Sequence, residues 1–266
     1  LALFCNDSNL LLVGKSGSIL LAATIAFPQT AADMNPYSSS IENVIIDQPE
    51  ETRASFIRKT YAHLAVAIAA FALLESLMQS MGLGEVALQL IGASRMSWLV
   101  VMVAFMGVSW LANKWALSSA SSTTQYLGLG LYVVAEAVIF LPLIAIARDF
   151  DNNVIAQAAI VTTALVLGIT VMAFTLKKDF SFLGGILRIG GFIMLGMIVA
   201  SFFLPISLGF WFAAFGAVFA GGCILYDTSN IMHHYRPGQH VAASLSLFAS
   251  VALMFWYILR LFMNRD

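Results

Sequence analysis

Charge is what this sequence has least of. Only 10% of its 266 residues are Asp, Glu, Lys or Arg and 60% are apolar, whereas a soluble domain carries about 25% charged residues. That balance excludes a water-soluble globular domain and marks an integral membrane protein. Cysteine is almost absent as well: Cys5 sits in a polar leader and Cys223 inside an apolar run, so no disulfide framework can be drawn. A net charge of -1 without any basic stripe excludes nucleic acid as a partner. The sequence has no Gly-x-Ser-x-Gly elbow, no His-Glu-x-x-His and no phosphate-binding glycine loop. A non-enzymatic protein without a cofactor is therefore expected.

What is there is hydrophobic sequence, nearly continuous from Tyr61 to Phe262. Crossing a ~30 Å hydrocarbon core takes about 20 apolar residues of helix at ~1.5 Å each. Cutting the chain where charged and turn residues cluster gives seven spans: Tyr61–Met81, Ser97–Ala112, Thr124–Ala147, Val154–Leu176, Phe182–Leu204, Leu208–Met232 and Val241–Phe262. The second is short and can begin nearer Ile91. Period-2 alternation is absent and every run exceeds the ~9 to 11 residues of a barrel strand, so the expected class is all-α, a polytopic seven-helix bundle.

Residues 1–60 differ in character, with Pro28, Pro36, Pro49, the run Ser38-Ser39-Ser40 and the acids Asp47, Glu50 and Glu51. They read as an exposed, disordered leader ahead of a transmembrane domain at 61–266. Lys15, the apolar stretch Ile19–Phe27 and Ala31-Ala32 outline a secretion signal. The chain opens with Leu and the next start is Met34, so residues 1–33 are expected to be an upstream extension or a misassigned start rather than a cleaved signal. Basic residues set the orientation. Arg53, Arg58, Lys59, Lys114, Lys177, Lys178, Arg188 and Arg236 fall on the amino-terminal side, against Arg95, Arg148, Arg260 and Arg265 on the other. A cytoplasmic amino terminus and an external carboxyl terminus follow.

A carboxylate at a helix centre costs ~2.5 to 3.5 kcal/mol on insertion scales, so such residues face the bundle interior or a watery cavity. The spans hold Glu75, Glu136 and Asp227. Glu75 reads either as functional or as a partly solvated acid reaching the outer interface. Glu136 lies six residues before Pro142, a helix-kinking residue, and either lines a cavity or bonds a neighbouring helix. Asp227 is the strongest of the three. Asn230, Ile231 and His234 share its helix face, forming a polar stripe toward the cytoplasmic edge that could conduct protons or a cation. Arg188 falls at similar depth in the fifth span, so an Asp227–Arg188 bridge is a candidate gate, or else Arg188 snorkels to the interface.

His63, His233, His234 and His240 form no metal-ligand spacing, since adjacent histidines point ~100° apart on a helix. They are expected as interfacial groups that titrate near neutrality. Gly184, Gly185, Gly190, Gly191 and Gly196, with Gly216, Gly221 and Gly222, mark close packing of the two helices around Asp227.

Two strings carry a resemblance. Lys177-Lys-Asp179-Phe-Ser181-Phe-Leu-Gly184-Gly185 and Ile224-Leu-Tyr-Asp-Thr-Ser-Asn230, in a seven-span layout, resemble the Bax inhibitor-1 family (transmembrane Bax inhibitor motif proteins), especially its bacterial YccA-like branch. The resemblance covers about residues 53–266. It implies a bundle whose last helix is surrounded by the other six, in a bacterial cytoplasmic membrane. It also implies association with pH-sensitive calcium leak or, in the YccA-like branch, with modulation of a membrane-bound AAA protease. Family members credited with the leak pair the aspartate matched by Asp227 with a second one in the last helix. The matching stretch here is Ser246-Leu-Phe-Ala-Ser250, so the partner acid is replaced by serine. Two carboxylates sharing a proton shift each other's titration, and a lone Asp227 lacks that mechanism. Ser246 and Ser250, four apart on one face, are placed to donate hydroxyls to it instead. The expected function is a pH-sensitive cation or proton leak through Asp227, with calcium as the permeant ion and Asp227 as its contact. The alternative is binding and restraint of a membrane protease, which needs no permeation path.

Overall fold

The computed structural model describes residues 44–118, 121–151, 153–205 and 207–264. Among the described residues a 3-10 turn, Ile45–Asp47, precedes eight helices: α1 Glu50–Ser80, α2 Leu83–Gly92, α3 Arg95–Ala116, α4 Ser122–Phe150, α5 Val154–Leu176, α6 Leu183–Phe203, α7 Phe210–His233 and α8 His240–Met263. All but α2 are long and apolar enough to span a bilayer. Lipid offers no hydrogen-bonding partner to a backbone, and a helix satisfies its own N–H and C=O groups internally, which is why these runs are helical.

The ends follow local chemistry. Glu50 and Glu51 occupy the first turn of α1, where carboxylates complement the helix dipole. Gly82, at φ +75°, takes the left-handed conformation that stops it. The hydroxyls of Ser94 and Ser121 cap α3 and α4 by accepting from the backbone N–H of Met96 and Thr124.

Helix α8 is the axis of the bundle and packs against α1, α3, α4, α5 and α7, while α6 lies at the periphery on α7 and α3. The expectation of a last helix ringed by all six others is corrected to this extent. Glycine explains the closest approaches. A Cβ on Gly216 would lie 2.5 Å from the Tyr257 ring, and one on Gly128 would lie 2.6 Å from the Ala112 carbonyl oxygen. Gly184, Gly190 and Gly222 abut Tyr226, Phe219 and Leu187, as close packing of α6 on α7 requires, but Gly185 and Gly196 face open space.

Two boundaries differ from the sequence reading. The expected leader at 1–60 is ordered over its last part. Ile45 is 1% exposed, its N–H donates to the Tyr235 carbonyl at 2.8 Å, and Phe56 packs on the Tyr235 ring at 6.4 Å. Charged Arg53, Arg58 and Lys59 end the apolar run without ending the helix, because beyond the bilayer they simply face water. Residues 1–43, with the candidate signal and Met34, lie outside the described residues. The second difference is α2, an unexpected helix of ten residues, too short to cross.

Candidate functional site

The carboxyl-terminal half of α7 is wholly enclosed: Tyr226, Asp227, Thr228, Ser229, Asn230, Ile231 and Met232 are all buried. Asp227 is 3% exposed. The one side chain that hydrogen-bonds its carboxylate among the described residues is Ser250 of α8, whose Oγ donates to Oδ2 at 2.5 Å. The serine that stands where the family's second acid is expected is therefore the residue that contacts Asp227. Ser246 is buried one turn away, and its hydroxyl has no hydrogen-bond partner among the described residues.

Other helices bring polar groups toward the same carboxylate. The Tyr61 hydroxyl of α1 faces Thr228, Thr170 of α5 and the charge of Asp227, although none of the three hydroxyls meets hydrogen-bond geometry. From α4, Tyr132 lies in the field of both Glu136 and Asp227. Glu136 is fully buried and accepts a 2.9 Å hydrogen bond from the Tyr132 hydroxyl on its own helix, rather than from a neighbouring helix. Its second oxygen is buried with no hydrogen-bond partner among the described residues. An i, i+4 relation joins Tyr132 to Glu136, a signal present in the sequence. The convergence of Tyr61 and Thr170 depends on how the helices pack and left no mark there.

The face carrying Asp227, Asn230 and His234 does lead to the edge of the bundle. His234 is 36% exposed and its Nε2 lies 3.6 Å from Asp179 Oδ2, in the loop between α5 and α6. The same loop is anchored where the Phe180 N–H donates to Ser229 Oγ at 2.9 Å. Partial desolvation pushes the Asp179 carboxyl up. The Ser181 backbone N–H and neighbouring His234 outweigh it and hold the group below the usual carboxylate range. The two strings that carried the family resemblance thus fold against each other, one supplying the buried acid and the other closing the end of its stripe.

Arg188 lies on the exposed face of α6, whereas the Asp227 carboxylate is buried and accepts from Ser250. The candidate Asp227–Arg188 bridge is corrected accordingly: equal depth along two helices does not fix which faces meet. Glu75 also departs from the reading of a partly solvated acid. It is 5% exposed, and the Gln79 amide donates both to its Oε1 and to the Leu141 carbonyl, each at 2.9 Å. Among the described residues no three His, Cys, Asp or Glu side chains gather as a metal site.

Comparison with known proteins identifies the lineage of this arrangement. The family model described as inhibitor of apoptosis-promoting Bax1 matches residues 53–266. The chain belongs to the Bax inhibitor-1 family. It is 27% identical over 235 residues to the uncharacterized protein PA2604 of Pseudomonas aeruginosa, covering 86% of this chain and 97% of that protein. Bax inhibitor 1 of Schizosaccharomyces pombe is 26% identical over 235 residues, covering 84% and 85%. Mouse protein lifeguard 4 is 32% identical over 117 residues, 44% of this chain and 49% of its own length. The matched region begins at Arg53, close to the first turn of α1, so the helical domain and the family region coincide.

Proposed function

We propose that this Bax inhibitor-1 family protein provides a slow, pH-sensitive leak for cations, calcium or protons, gated through Asp227. The observation that carries this reading is the set of buried polar atoms around the acid. Asp227, Glu136, Tyr61, Thr170, Thr228, Ser246 and Ser250 come from α1, α4, α5, α7 and α8, and several of their oxygens have no protein partner. Buried polar groups that the protein leaves unpaired are costly unless water or an ion meets them. In a membrane bundle such groups mark an ion or proton route.

The chemistry is a choice of donor. While Asp227 is ionised, the Ser250 hydroxyl donates to it and ties α7 to α8. A protonated Asp227 can itself donate, and Ser250 is then free to accept, so the tie is remade with opposite polarity. Glu136 offers a second acid on α4 in place of the one that α8 lacks, linked through Tyr132 rather than by direct pairing. The protein acts as a transport element without a catalytic step. It sits in a bacterial cytoplasmic membrane with the basic side bearing Arg58, Lys114, Lys177 and Arg236 toward the cytoplasm.

The test is calcium and proton flux into proteoliposomes between about pH 6 and 8, where histidine and carboxylates in unusual surroundings change charge. The native chain is compared with Asp227→Asn. A pH-dependent flux that the substitution alters supports the leak. Silence in both folded proteins would overturn it and transfer the weight to a regulatory protein partner such as a membrane protease.

A further inference from the structure

A second feature adjoins the Asp227 cluster at Tyr61 and Thr170 and runs away from it along α1 and α5. Helices α1 and α5 meet at Tyr61 and Phe174, whose rings lie 6.0 Å apart, and leave between them a 690 Å³ crevice floored by Phe248, Val251 and Phe255 of α8. That is the size of cavity that takes a drug-sized ligand, ~300 to 1,000 Å³. Its walls are mostly apolar, and because it lies between two membrane-spanning helices it opens sideways onto lipid tails. Tyr61 and Gln79, at its two ends, are separated by about 27 Å of helix at ~1.5 Å per residue. A chain from one leaflet, about half of the ~30 Å core, fits within that length.

The end remote from Tyr61 is polar and carries both signs of charge. Glu75 and Gln79 of α1 and Arg148 of α4 line it, and they lie within a few residues of the ends of their helices at Ser80 and Phe150, the depth of lipid headgroups. Gln79 satisfies one Glu75 oxygen. The other, Oε2, is buried with no partner among the described residues, as is the Thr162 hydroxyl further along the crevice. An unpaired buried carboxylate oxygen calls for a donor, and a cationic one offsets its desolvation best. Glu75 lines the crevice, and its carboxylate's last torsion is soft. Arg148 is exposed and lines the same crevice, and it is of the type that binds phosphate through paired N–H groups.

We propose that the crevice between α1 and α5 is a binding site for an aminophospholipid of the surrounding membrane, with its ammonium on Glu75, its phosphate on Arg148 and one acyl chain along the groove. Phosphatidylethanolamine carries this combination. Phosphatidylcholine has the same charges but no N–H donor, and phosphatidylglycerol has no cation.

The experiment is native mass spectrometry of the full chain, released from detergent with equal amounts of the three lipids matched in acyl chains. Phosphatidylethanolamine should be retained about tenfold over phosphatidylglycerol, the factor expected for one charge-assisted hydrogen bond, with phosphatidylcholine between them. Glu75→Gln should abolish that preference and Arg148→Ala should weaken retention of all three. Ala72→Trp and Ala159→Trp fill the groove from exposed wall positions that no core packing depends on, so they fold and should release every lipid. Equal retention of the three lipids by the native chain, a preference unchanged in Glu75→Gln, or undiminished binding in both tryptophan variants would each overturn the proposal.

Discussion

Helices α4 and α5 are about equally hydrophobic, yet 67% of the most apolar stretch of α4 is buried inside the protein and only 11% of that of α5. Hydropathy therefore reports that a segment is in the bilayer and says nothing about whether it meets lipid or protein. What separates the two helices is the polar inventory. Helix α4 carries Glu136 and Tyr132 inward, whereas hydroxyls of α5, such as Thr163 and Thr175, bond back to their own carbonyls at Ala159 and Val171. Buried polar side chains of this bundle bond one another or a neighbouring helix, as Ser250 does to Asp227 and Gln79 to the Leu141 carbonyl, whereas the exposed hydroxyls of Thr163 and Thr175 bond only their own backbone.

That contrast can be broken most severely at glycine. Gly128→Ala places a methyl against the backbone of α3 at Ala112 and Ala116, and overpacking of this kind costs about 1 to 3 kcal/mol. Gly168→Ala on the exposed face of α5 meets nothing within 4 Å and should stay within about 0.5 kcal/mol of the parent. Thermal unfolding in detergent should show a clear loss for the first and none for the second. Equal melting temperatures would show that burial does not distinguish these helices energetically.

Ser250→Ala sharpens the comparison at the site itself. It removes the hydroxyl that serves the Asp227 carboxylate, and an unpaired buried acceptor costs about 1 to 3 kcal/mol. The same truncation at Thr163, whose hydroxyl bonds only its own helix, should be close to neutral in the same unfolding assay. Glu136→Gln keeps an acceptor for Tyr132 and should lower stability less than Ser250→Ala.

The smallest effect is expected at the water-exposed end. The Asp179–His234 contact is 36 to 46% exposed, so Asp179→Asn should cost only a few tenths of a kcal/mol. Its pH dependence has a definite sign. Because the carboxyl is held below its ordinary range, its contribution is present above the unfolded value of ~3.9. It is lost as pH falls through the lower folded value. Acid unfolding followed by circular dichroism should show the native chain and Asp179→Asn converging at low pH.

Much of this was legible in the sequence, for identifiable reasons. Helix α5 occupies Val154–Leu176, the span read from the sequence, because its ends coincide with polar punctuation. Asp227 stood out since a carboxylate in an apolar run must find a partner, and Ser250 because the family resemblance places a second acid where it stands. The start of α1 was missed because leaving the bilayer does not end a helix, and α2 because it is too short to register as a span. Arg188 was misplaced because sequence gives depth along a helix but not its rotation. That Glu75 and Arg148, and Tyr61 and Thr170, line one crevice depends on which helices are neighbours, a tertiary fact that no single segment carries.

The most direct test of the account compares calcium influx into proteoliposomes for the native chain, Asp227→Asn and Arg188→Gln, each first shown to be folded. The interior acid should control the flux and the exposed arginine of α6 should not, so Asp227→Asn should alter both rate and pH profile while Arg188→Gln matches the native protein. Flux that is unchanged in Asp227→Asn, or altered only in Arg188→Gln, would contradict the central claim that the buried polar cluster is the gate.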